Sequence, residues 1–67
     1  MSVLVKNHDG ETYVFAVNSS SKEVRAHIFA PVPDGKGMVL WENRGIKAHD
    51  GAFEDDFKGF GEHVYRF

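Results

Sequence analysis

Apolar and polar positions alternate with a period of two along most of this chain, and turn residues break the alternation at short intervals. Seven stretches read as strands: "VLVKN" (Val3–Asn7), "TYVFAVN" (Thr12–Asn18), "EVRAHIF" (Glu23–Phe29), "MVLWE" (Met38–Glu42), "IKAH" (Ile46–His49), "AFEDDF" (Ala52–Phe57) and "EHVYRF" (Glu62–Phe67). Successive side chains of a strand point to opposite faces, and β-branched and aromatic residues suit a pleated, half-buried surface. In "EVRAHIF", for example, Val24, Ala26 and Ile28 fall on one face and Arg25 and His27 on the other. The breaks are "DG", "NSSSK", "PVPDGKG", "NRG", a second "DG" and "KGFG", all residues that favour turns. No segment sustains a helical period. The pattern predicts an all-β fold, a small antiparallel β-sandwich of about seven strands in two sheets.

The tripeptide "HDG" occurs twice, at His8–Gly10 and His49–Gly51. A His beside an Asp suggests a catalytic dyad or part of a metal site, whereas Asp-Gly between strands suggests a tight turn with positive φ at both residues. With Asp9-Gly10 as the turn, His8 faces Glu11, Lys6 faces Tyr13, Val5 faces Val14, Leu4 faces Phe15 and Val3 faces Ala16, so Val3, Val5, Val14 and Ala16 share a face. The same rule at Asp50-Gly51 pairs His49 with Ala52, Ala48 with Phe53, Lys47 with Glu54 and Ile46 with Asp55. Ile46, Ala48, Phe53 and Phe57 then share a face, and Lys47 and Glu54 meet as opposite charges. Both registers sort the apolar residues, so the turn reading is adopted. His8, His27, His49 and His63 lack the spacing of a converging ligand set. No metal, cofactor or catalytic residue is expected, and "SSS" at Ser19–Ser21 reads as a turn.

Length and composition narrow the picture. The chain has 67 residues, which predicts a single β-sandwich domain over residues 1–67. Without cysteine its core rests on apolar packing or is completed by a partner. A formal charge of −2 without a basic cluster argues against nucleic acid. No long apolar run or secretion-signal pattern occurs, so no membrane contact is expected.

The run "FEDDF" gathers Glu54, Asp55 and Asp56, with Glu42 in a neighbouring strand. Paired carboxylates cleave glycosidic bonds across a cleft, but so small a sandwich offers little depth, and a solvated strand edge is the better reading. Asp55 is different, because it falls on the Phe53/Phe57 face. Once buried it needs a partner, and Arg44 or backbone N–H groups are nearest. Among the aromatics, Phe15, Phe53 and Phe57 are expected in the core. The strands of Trp41 and Tyr65 carry apolar residues on both faces: Met38 and Leu40 against Val39 and Trp41, and His63, Tyr65 and Phe67 against Val64. A two-sheet stack needs only one apolar face per strand, so part of the outer surface is expected to be covered by something else.

The C-terminal half, "VLWENRGIKAHDGAFEDDFKGFGEHVYRF", resembles the end of the small β-sandwich that follows the catalytic (β/α)8 barrel in many glycoside hydrolases. Phe53, Asp55, Phe57, Phe60, His63, Val64, Tyr65 and Arg66 fall in order on that family's closing pattern. The front half, with its hairpin and "YVFAVNSS" strand, is similar to the family's opening. Gly59 and Glu62 depart from the pattern, standing where proline and an apolar residue are usual. The resemblance implies a non-catalytic accessory domain packed against a catalytic barrel, its active residues being on the barrel. His63, Tyr65 and Phe67 are the expected docking residues. The alternative is a carbohydrate-binding module with Trp41, Tyr13 and Tyr65 as a stacking platform. Self-association through an uncovered apolar side is a further expected partnership. A small hydrolase using His8 or His49 is the least favoured reading.

Overall fold

The structure, a computed structural model, describes residues Met1–Phe67. It contains seven strands: β1 (Ser2–His8), β2 (Glu11–Val17), β3 (Val24–Phe29), β4 (Gly35–Val39), β5 (Arg44–Ala48), β6 (Ala52–Phe57) and β7 (Glu62–Arg66). All pairings are antiparallel. They form a five-stranded sheet in the order β1-β2-β7-β4-β5 and a two-stranded sheet of β3 and β6, so the all-β, two-sheet architecture expected from the alternation is the one observed.

Both Asp-Gly pairs are turns with positive φ at each residue: 50° and 79° at Asp9-Gly10, 51° and 70° at Asp50-Gly51. The first closes the β1–β2 hairpin in the expected register, from His8↔Glu11 through Val3↔Ala16. The second corrects the sequence reading. Only His49↔Ala52 pairs there. Beyond that bridge the strands part, β5 joining β4 and β6 joining β3. Lys47 and Glu54 therefore do not pair; Glu54 instead meets His27 at 2.8 Å. The physical reason is burial. Phe53, Asp55 and Phe57 line the inner face of β6 opposite Ile28, Ala26 and Val24 of β3, and this ribbon has to leave the larger sheet to cover it.

The core is a cluster of 11 buried residues, including Val14, Ala16, Ile28, Val39, Phe53, Phe57 and Tyr65. Burying one such large side chain stabilises the fold by about 1.5–3 kcal/mol. Phe53 packs edge-on against Tyr65, ring centroids 4.6 Å apart. Phe15 is a second correction: expected inside, it is 37% exposed. The register that puts Val14 and Ala16 inward puts Phe15, opposite Leu4, on the outer face. Strand β4 also starts earlier and stops sooner than the pattern predicts. Its glycine-rich start is tolerated because the Phe67 ring lies where a Cβ at Gly37 would be, 2.6 Å away, and it ends where Trp41 turns to φ 62°.

Candidate functional site: the outer face of the larger sheet

Alternation across the paired strands assigns every side chain of the five-stranded sheet to one of two faces. Val14, Tyr65 and Val39 are mutual partners along one row and point inward. Leu4, Phe15 and Val64 are partners along the adjacent row and point outward. Leu40, whose N–H donates to the Val64 carbonyl at 2.8 Å, extends that row. Tyr13, Arg66 and Met38 form the next outward row, beside Lys6. Val17 lies on the other side of the central row, opposite Glu62. Leu4, Phe15, Val17 and Met38 are exposed, and Tyr13, Leu40 and Val64 are half-buried. The result is an apolar band across the sheet. Its flank is basic: Lys6 and Arg66 stand in the outer rows, and Lys36 faces Lys47 beyond them. Glu11 lies 3.6 Å from Arg66.

The outer face of the smaller sheet has the opposite character. Arg25 reaches Asp56 at 2.9 Å, and His27 reaches Glu54 at 2.8 Å. Such pairs suit water and add little to stability. Phe29, at the strand end, is its one exposed large apolar side chain.

These assignments revise the residues expected to dock or stack. Tyr65 has no exposed surface, so it offers no ring face to a sugar or a partner. His63 and Phe67 are half-buried, and His63 packs on Phe57 with centroids 4.6 Å apart. All three look inward; the free side of β7 is the one that carries Val64. Tyr13 is on the outer face, its hydroxyl donating to Glu11 at 3.2 Å. Trp41 stands alone in the β4–β5 turn, 87% exposed.

The inward side of β7 serves a polar network instead. Asp55, on β6, accepts from Arg44 at 3.0 and 2.8 Å, from the Tyr65 hydroxyl at 2.8 Å and from its neighbour's N–H, that of Asp56, at 2.9 Å. Arg44 also donates to Glu42 at 3.1 and 3.0 Å. His63 bonds Glu42 through Nδ1 and the Asp56 carbonyl through Nε2 at 2.9 Å. Burial raises the Asp55 carboxyl, but Arg44, Tyr65 and the Asp56 N–H outweigh it and hold the group below its ordinary range. Burial and the bond to Asp55 push the Tyr65 phenol up. With its oxygens fully engaged, Asp55 is suited to joining the two sheets rather than to proton transfer. Arg44 is a candidate from the sequence, but by way of a β5–β6 pairing that does not form; it and Tyr65, eleven and ten residues away, both reach Asp55 from the other sheet.

His8 and His49 do not converge. His8 contacts Asp9 at 3.2 Å, while His49 lies 3.5 Å from Asp34 and 3.2 Å from Asp50. All of these residues are exposed. Asp34 is otherwise engaged as acceptor for the Asp50 N–H at 2.9 Å.

No family model matches the sequence, and no curated protein matches it. Among solved structures, the fold matches a crystal structure of an α-amylase from Anoxybacillus, described as giving insight into a new glycosyl hydrolase subclass, with a TM-score of 0.77 and 21% identity. The match covers 98% of this chain and 15% of that one. The chain thus has the fold of a small part of a much larger glycosyl hydrolase.

Proposed function

We propose that this chain is a non-catalytic accessory domain of a glycoside hydrolase, which covers and stabilises a catalytic barrel with the outer face of its five-stranded sheet. The observation that carries this reading is the asymmetry of the two outer faces, one banded with Leu4, Phe15, Val64 and Leu40 and the other tiled with ion pairs. An apolar band on so small a chain costs solubility unless a partner covers it. The basic flank of Lys6, Arg66, Lys36 and Lys47 calls for carboxylates on the partner surface around an apolar centre. The likeness to a part of an α-amylase supplies the kind of partner.

The test is chemical unfolding of the parent catalytic domain with and without this chain attached. The joined protein is expected to unfold at higher denaturant, and high salt is expected to reduce the gain. Phe15→Lys together with Val64→Lys is expected to abolish it. A joined protein no more stable or soluble than its separate parts would refute the proposal.

A second reading, carbohydrate binding, rests on Trp41. A bulky residue with φ 62° and an open ring stores backbone strain of about 1–2 kcal/mol, which is unusual without a compensating contact. Titrating oligosaccharides against Trp41 fluorescence decides it: a saturable shift lost in Trp41→Ala supports sugar stacking, and a flat response ends it.

A further inference from the structure

The free edge of β1 is a separate surface from the outer face. The two-residue turn makes His8↔Glu11 a hydrogen-bonded pair, and in an antiparallel ladder such pairs alternate. Ser2, Leu4, Lys6 and His8 therefore direct their backbone groups toward β2. Val3, Val5 and Asn7 direct theirs away, along an edge with no strand beside it.

Exposed edges are ordinarily guarded by proline, bulges, brevity or charge, lysine above all. Strand β1 has a single lysine, Lys6, on its outer side, and no proline, bulge or inward-pointing charge. It runs seven residues in unbroken register with β2, and its inward side chains, Val3, Val5 and Asn7, are uncharged. The opposite edge is unlike it: β5 is five residues long, sets Lys47 beside Lys36 and holds Arg44 in the Asp55 network.

We propose that β1 pairs with β1 of a second copy, antiparallel about a two-fold axis at Leu4. In that register Val3 and Val5 bond Val5 and Val3 of the second copy, each exchanging N–H and carbonyl. Leu4 meets Leu4 on the outer face, so the row Leu40–Val64–Phe15–Leu4 continues unbroken into the second molecule. Lys6 lies opposite Ser2, which avoids like charges facing each other. The contact is isologous and closes on itself. It leaves the basic β5 edges outermost. So small an interface makes a weak dimer.

Sedimentation equilibrium from micromolar to millimolar chain, with amide hydrogen exchange, tests this. A mass rising from 7.5 kDa toward twice that value is expected, with exchange at Val3 and Val5 slowing as concentration rises and exchange at Leu4 and Lys6 slow throughout. Val3→Pro removes an edge N–H without touching the β1–β2 ladder and is expected to return the monomer; Val3→Lys is a second disrupting variant. Phe15→Lys is expected to keep the dimer. A monomer at every concentration, or a dimer lost in Phe15→Lys and retained in Val3→Pro, would overturn the proposal. The exchange pattern of the unmodified chain decides the matter even where a variant fails to fold.

Discussion

Asp55 shows how one buried charge is made tolerable. Its side chain is only 9% exposed, a position that would be costly for an isolated carboxylate. Two Arg44 nitrogens, one phenol and one backbone N–H satisfy it, and no buried side-chain nitrogen or oxygen lacks a partner. Because these bonds hold the folded carboxyl below its unfolded value, Asp55 stabilises the fold above about pH 4 and that contribution fades as pH falls further, through the folded value. Asp55→Asn is expected to lose about 2–3 kcal/mol at neutral pH and to flatten the acid limb of a stability–pH curve measured by urea unfolding. Tyr65→Phe, which removes one bond to the carboxylate, is expected to cost about 1.5 kcal/mol.

At the scale of elements, the two HDG segments share a turn but send the chain to different places. After Gly10 the chain returns along its own partner; after Gly51 it crosses to the other sheet. A double-mutant cycle on Lys47 and Glu54 is therefore expected to give coupling below about 0.3 kcal/mol, while a cycle on His27 and Glu54, which lie 2.8 Å apart, gives a larger one of about 0.5 kcal/mol. Coupling at Lys47 and Glu54 as large as that of a paired strand would restore the hairpin. The β6–β7 turn is set by close approach. A Cβ at Gly59 would fall 2.1 Å from the Ser21 carbonyl oxygen, and Phe60 N–H donates to the Ser20 carbonyl at 2.8 Å. Buried Asn18 ties the same two turns through Lys22 and Lys58 carbonyls at 2.8 and 3.0 Å. Gly59→Ala is expected to destabilise by about 1–3 kcal/mol, read from the urea midpoint. The absence of proline at this position thus has a steric reason.

At the scale of the molecule, the five-stranded sheet exceeds its two-stranded cover, and its outer face is left apolar. Phe15 contributes to that band rather than to the core. Phe15→Ser in the isolated chain is expected to cost about 1 kcal/mol, because the ring is 37% exposed and packs across the strands on Leu4 and Val64, while raising solubility. A loss of several times that amount would return Phe15 to the core and weaken the docking face.

Local physics is enough to set the strand alternation, both positive-φ turns and the β1–β2 register, since each depends on neighbours within a few residues or on one hairpin. It also shows that apolar residues outnumber the inward positions. Long-range packing, by contrast, chose which face of β7 turns inward, sent β6 away from β5 to join β3, and brought Arg44 and Tyr65 to Asp55. Those outcomes depend on how two sheets divide one core, and a period of two is the same whichever sheet a strand joins.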